Sequence, residues 1–242
     1  MSNPILNDNF TEQTSVFQGE QPMTINGTIQ VALMLGLMVV ASAAYVWSRY
    51  TLGYTDQVSM LMFGGLIVGF ITSMIIIFAR VKVLIPVYAV AEGCLLGGLS
   101  ATFEASYPGI VAQAVAGTFA ALFSMLILYR ANLISVNDKF RSIIFISTLS
   151  IALIYLISFI GSFFGYSVPA IHSVSNWGIL FSVVVVIIAA LNLILDFDYI
   201  EQGAQMMLPK DQEWFGAFGL MVTLVWLYME ILRLLAKLNS RN

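Results

Sequence analysis

The sequence predicts an all-α integral membrane protein with seven transmembrane helices. Three observations carry this reading. Of 242 residues, 60% are hydrophobic and only 10% charged, whereas soluble domains average about 25% charged residues. Mean hydropathy is +0.91. The few charges also gather in short clusters between long apolar runs, as loops and spans alternate in a chain dissolved in lipid.

A hydrocarbon core of about 30 Å needs about twenty mostly apolar residues at helical rise. That window gives spans at Thr28–Trp47, Val58–Phe78, Val83–Ala105, Gly109–Tyr129, Phe140–Phe163, Asn176–Tyr199 and Trp214–Ala236. The breaks between them are polar: "RVK" after span two, "SYPG" after span three, "RANLISVNDKFR" after span four and "LPKDQE" before span seven. Proline and glycine mark turns there, and charge marks the water boundary. Residues 1–24 form a polar segment with Asp8, Glu12 and Glu20 and no Lys or Arg; they read as a disordered cytoplasmic tail. The seven-helix domain then covers 25–238, and 239–242 are a short C-terminal tail. Such short loops leave no room for a soluble domain, so function has to reside in or between the helices.

Composition also excludes function classes. A net charge of −3 with no basic stripe argues against nucleic acid as a partner. One cysteine, Cys94, lies in an apolar run, and one histidine, His172, falls in the loop before span six. Neither a disulfide framework nor a His-rich metal site follows. The sequence holds no GxGxxG, Walker lysine, HExxH or GxSxG motif, so neither an enzyme nor a cofactor protein is expected.

The acids are the informative residues. Asp138, Asp211 and Glu213 read as solvated interfacial groups, with Asp211 also placed to cap the last helix. Asp198 and Glu201 read the same way. Asp196 differs, because Asn192, Asp196 and Tyr199 fall at i, i+4 and i+7 and make one polar stripe on span six. Such a stripe has to face other helices or a wet cavity. Glu92 lies about nine residues into span three, roughly 13 Å deep at helical rise. A carboxyl at that depth costs about 2.5–3.5 kcal/mol, so it is expected to be neutral, hydrogen-bonded or paired. Gly93, Gly97, Ser100 and Glu104 form an adjoining small-residue stripe that lets another helix come close. On span seven, Gly216, Thr223, Glu230 and Lys237 recur every seven residues, and Arg233 follows Glu230 by three. That spacing suits either a local ion pair or the polar seam of a helix enclosed by the others.

Taken together, an acid in span three, the "DFDYI" that closes span six and "LYMEILRLL" in the last helix resemble the transmembrane Bax-inhibitor-motif family, in its bacterial Bax-inhibitor-like branch. The resemblance implies six helices around a central seventh, a bacterial inner-membrane location and a pH-sensitive calcium leak. It also implies a pair of aspartates on the last two helices that controls the leak from the cytoplasmic side. Asp196 matches the first of them. For the second, alignment on the arginine near the end of the last helix gives Thr223, and alignment on the "LYxD" motif gives Glu230. If Thr223 holds that position the two-carboxylate sensor is broken, and Glu92 becomes its substitute.

The function expected is therefore a pH-sensitive cation leak, with calcium held weakly by Asp196 and Glu92 and helped by Asn192 and Thr223. Calcium takes six to eight oxygens, so a hydrated passage suits these residues better than a tight cage. An ionised Asp196 is expected to latch onto Arg80 or Lys82, while Arg233 and Glu104 are further ion-pair candidates. The alternative is a membrane regulator that binds other membrane proteins, such as a quality-control protease, with structural acids and no conduction.

Topology follows from Lys and Arg. Arg80, Lys82, Arg130, Lys139, Arg141 and Lys210 fall in loops on one side, and the opposite loops hold only Arg49. By the positive-inside rule the first set, and with it the N-terminus, is cytoplasmic, and the C-terminus is outside. Cysteine-accessibility labelling is expected to find the loops around Gly53 and Tyr107 exposed externally. Labelling of those loops from the cytoplasm alone would overturn the assignment.

Overall fold

Short polar residues open three of the helices. Thr24 accepts the Gly27 N–H, Asn137 that of Phe140, and Ser175 that of Gly178, each satisfying a donor that a helix N-terminus leaves free. The computed structural model describes residues 21–165 and 175–241. Most of the expected N-terminal tail, at 1–20, and His172 lie outside them. The described residues form seven α-helices: α1 (Ile25–Thr51), α2 (Thr55–Ala79), α3 (Ile85–Ser106), α4 (Ile110–Arg130), α5 (Asp138–Ser162), α6 (Asn176–Gln205) and α7 (Gln212–Asn239). A 3-10 turn, Lys82–Leu84, leads into α3. All seven are long and apolar enough to cross a membrane.

The spans fall where expected, with ends shifted by a few residues. The largest shift at one end is in α6, which runs six residues past Tyr199 to Gln205. Asp198 and Glu201 do not end the helix; donors on neighbouring helices, Arg141 and Tyr129, satisfy them. The extension puts Asp196 nine residues, about 14 Å, from that helix end. Short loops make successive helices antiparallel. The start of α1 therefore shares a face with the α2–α3, α4–α5 and α6–α7 loops, called here the N-terminal face.

Helix α7 sits at the centre. It packs against α1, α3, α4 and α6, and 14 of its 28 residues are buried. Tyr155 reaches it from α5, and Arg80 at the end of α2 lies over Phe215. Helix α3 is the other enclosed element, held between α1 and α2. The outward surface carries large apolar side chains such as Met60, Phe78, Phe145 and Phe159, a lipid-facing surface that water would not tolerate over such an area.

The glycine stripe on α3 faces α1 and allows near backbone contact. A Cβ on Gly93 would lie 1.8 Å from Ser42 Oγ and 2.3 Å from the Val39 carbonyl, and one on Gly97 would lie 2.8 Å from the Ala43 carbonyl. Ser100, one turn on, bonds Tyr228 of α7 at 2.7 Å. Gly93→Ala is expected to cost about 1–3 kcal/mol by overpacking, read as a lower melting temperature in detergent. Gly36→Ala, whose Cβ would meet nothing within 4 Å, is expected to be neutral.

Candidate functional site: the buried acids of the bundle

Removing a carboxylate from water is costly unless donors inside the protein replace the water. Most acids of the bundle have such donors. Glu230, 1% exposed, accepts from Tyr155 Oη at 2.9 and 3.0 Å, from Arg233 at 3.0 and 3.1 Å, and from Trp226 Nε1 at 3.3 Å. The Arg233 guanidinium also donates to Tyr155 Oη at 2.7 Å and lies over its ring. Further along α7, Lys237 is buried and donates to the Gly178 carbonyl at 3.0 Å and to Ser182 Oγ at 2.8 Å.

Nearer the N-terminal face, Asp198 pairs with Arg141 of α5 and accepts from Gln202. Glu201 accepts from Tyr129 of α4 at 2.6 Å. Both were expected to be solvated; they join helices instead. Asp211 occupies the N-cap position of α7 without a side-chain capping bond and pairs with Lys82. Glu213, also expected in solvent, is 4% exposed and accepts from the Thr24 backbone N–H and hydroxyl, both at 2.9 Å. Glu104 is no ion-pair partner: its carboxylate accepts the Gly109 and Val111 N–H groups at 2.6 and 3.1 Å and caps α4.

Two acids are treated differently. Asp196 Oδ2 and Glu92 Oε2 are enclosed and have no hydrogen-bond partner. Asp196 lies on the α6–α7 seam, beside the Thr223 hydroxyl of α7 and against the bare backbone of Gly219, where an added Cβ would be 3.5 Å from Asp196 Oδ1. Glu92 sits beside Tyr88 on its own helix, with α2 approaching at Gly69, where a Cβ would be 3.3 Å from Glu92 Oε1. The Tyr88 ring packs edge-on against Phe218 of α7. Both acids lie in the half of the bundle nearer the N-terminal face.

A family model described as Bax inhibitor 1 like matches residues 3–240, essentially the whole chain. The chain belongs to this family. No curated protein matches it. The match and the seven apolar helices agree on a multi-pass membrane protein.

In this Bax inhibitor 1 like protein, only one of the two α7 positions offered by the resemblance lies beside Asp196. Thr223 faces it; Glu230 lies two turns further along α7, with Tyr155 and Arg233. A carboxyl–hydroxyl pair thus stands where two carboxylates were one alternative. The expected latch is absent. Arg80 ends α2 in a left-handed conformation (φ 52°), its guanidinium lies over Phe215 and donates to Gln212, and Lys82 is taken by Asp211. The span-six stripe also divides: Asn192 donates to Thr148 Oγ1 of α5 at 2.9 Å, and Tyr199 to Gln212 of α7 at 3.0 Å. Asp196 and Glu92 have separate surroundings, and among the described residues no three His, Cys, Asp or Glu side chains converge as metal ligands. The expected calcium ligands are therefore not assembled into a cage. Sequence reasoning missed Glu213, whose partner Thr24 is 189 residues away.

Stability separates the two kinds of acid. Glu230→Gln is expected to cost about 1.5–3 kcal/mol through its bonds to Arg233 and Tyr155. Asp196→Asn, which removes a carboxylate oxygen lacking a partner, is expected to leave the melting temperature unchanged or raise it. Thermal unfolding in detergent checks both; an equal loss in the two variants would make Asp196 a structural residue.

Proposed function

We propose that the chain conducts cations weakly across its membrane, calcium foremost, under the control of Asp196, with Glu92 as a second titratable site. The observation that carries this reading is the enclosed, unpartnered Oδ2 of Asp196 at the seam of the two longest helices. Acids that only hold the fold together are matched by donors here; an acid left unmatched within a span is a functional-site candidate. One carboxylate with a neighbouring hydroxyl supplies few of the oxygens that calcium takes. It therefore supports weak binding, as a leak requires, since an ion that binds tightly does not leave.

Control by pH follows from the same residue. A proton and a cation compete for one carboxyl, so occupancy by either depends on both concentrations. Arg80 and Lys82 have no part in this scheme, and control acts on the carboxyl itself. The lysine and arginine distribution supports an N-terminal face in the cytoplasm, and family membership is compatible with a bacterial inner membrane.

The test uses the purified full-length chain in liposomes that enclose a calcium indicator. Wild type is expected to leak calcium with a rate that varies with pH. Asp196→Asn is expected to flatten that dependence, Glu92→Gln to reduce it, and Asp198→Asn to preserve it. Flux no greater than that of empty liposomes at every pH would overturn the reading in favour of a non-conducting regulator that binds other membrane proteins.

A further inference from the structure

Between Asp196 and the N-terminal face, the α6–α7 seam is lined by glycines and filled from outside the two helices. Going outward from Gly219, the next glycine on α7 is Gly216, three residues or about 4.5 Å away. A Cβ on Gly216 would meet Ile200 Cγ1 at 3.2 Å, Thr28 Cγ2 at 3.3 Å and Met23 Cε at 3.5 Å. On α6, a Cβ at Gly203 would lie 2.7 Å from Met23 Sδ. Met23, which precedes α1, is 2% exposed. Its side chain occupies the space that the two glycines leave, one layer outward from Ile200, and Ile200 is one turn from Asp196. An unbranched thioether suits such an irregular gap.

The segment carrying Met23 is held by few bonds. Pro22 and Pro209 form an antiparallel bridge, flanked by Met23 N–H to the Leu208 carbonyl at 2.7 Å and Lys210 N–H to the Gln21 carbonyl at 3.1 Å. Neither proline has an N–H to give, and the Leu208 N–H is taken by the Gly203 carbonyl. Backbone pairing therefore stops at two bonds. Side chains add Lys210 to Gln21 and the Glu213 carboxylate to Thr24. The Glu213 carboxylate lies against the bare backbone of Gly27: a Cβ there would stand 2.2 Å from Glu213 Oε1, so the carboxylate would have to move. A short, sparsely bonded segment belongs to the low-stability end of a structure and opens without global unfolding.

We propose that residues 21–24 are a removable plug: Met23 closes the N-terminal-face end of the α6–α7 seam, and Glu213 latches it there. With the plug seated, water and ions of that face are kept from Asp196; with it lifted, the glycine-lined seam becomes their route. The effect on ion flow rests on the cation-leak reading above, whereas the effect on access to Asp196 does not.

Access and flux are measured separately. The reporter is Thr223→Cys in a Cys94→Ala background, which removes the chain's single native thiol. A charged, membrane-impermeant methanethiosulfonate is applied to each side of proteoliposomes in turn. Met23→Gly removes the plugging side chain, and Gly27→Ala displaces the latch. Both are expected to speed labelling of the reporter severalfold from the N-terminal face and to leave it unchanged from the other. Pro22→Cys/Pro209→Cys tests the converse. Directly opposed residues at a non-hydrogen-bonded antiparallel position have Cα atoms about 4.5 Å apart, within disulfide reach. With Thr223 and Met23 intact and Cys94→Ala, the oxidised protein is expected to leak less than the reduced one. Monodisperse elution and an unchanged melting transition establish that each variant is folded. If labelling is the same with and without Met23 in folded protein, the plug is overturned, whatever the flux. If labelling follows the plug while no variant leaks, the plug stands and the leak reading falls.

Discussion

A carboxylate inside an apolar slab has only the protein to answer it, and that constraint organises the bundle. Lipid offers no donors, so each buried acid draws a donor from another part of the chain. The resulting bonds serve as rivets between helices. Glu230 ties α5 to α7, Asp198 ties α6 to α5, Glu201 ties α6 to α4, and Glu213 ties α7 to the start of α1. Apolar packing alone discriminates poorly among helices that all resemble lipid tails. These polar contacts discriminate, because each has one matching partner. Against that pattern, the unanswered oxygens of Asp196 and Glu92 stand out.

Helix α7 shows the same logic along its length. Its seven-residue polar repeat meets a different neighbour at each step. Gly216 receives Met23, Thr223 faces Asp196, Glu230 holds Tyr155 and Arg233, and Lys237 bonds Gly178 and Ser182. A repeat of that period keeps one stripe of a helix against its neighbours over several turns. The stripe therefore presents polar groups at successive depths, and only the Asp196 level leaves one incompletely matched.

Much of this was legible in the chain, and the rest was not for definable reasons. Span number and order followed from apolar run length, which depends on membrane thickness rather than on partners. The close approach at Gly93 and Gly97 followed from residue size, and the Glu230–Arg233 pair from helical spacing. Pairings across the chain left no local trace: Arg141 with Asp198, Tyr129 with Glu201 and Thr24 with Glu213 are 57, 72 and 189 residues apart. For the same reason the end of α6 was placed too early, since its acids look interfacial until their donors are known. The expected latch is absent because both cations have other partners. The Arg80 guanidinium lies over Phe215, and Lys82 pairs with Asp211.

The central position of α7 also has a consequence for synthesis. Among the seven described helices, the one around which the others are arranged comes after them in the chain, so the other six are made before their common neighbour exists. Until then Tyr155, Ser100 and Thr24 lack the α7 groups that they bond in the finished protein, and Asp196 lacks its facing wall. Other contacts do not need α7: α1 meets α3 through the glycines, and α6 touches both α4 and α5 directly. A chain cut short before Gln212 would thus leave Tyr155, Ser100 and Thr24 without their partners and the Asp196 carboxyl without the Thr223 hydroxyl beside it.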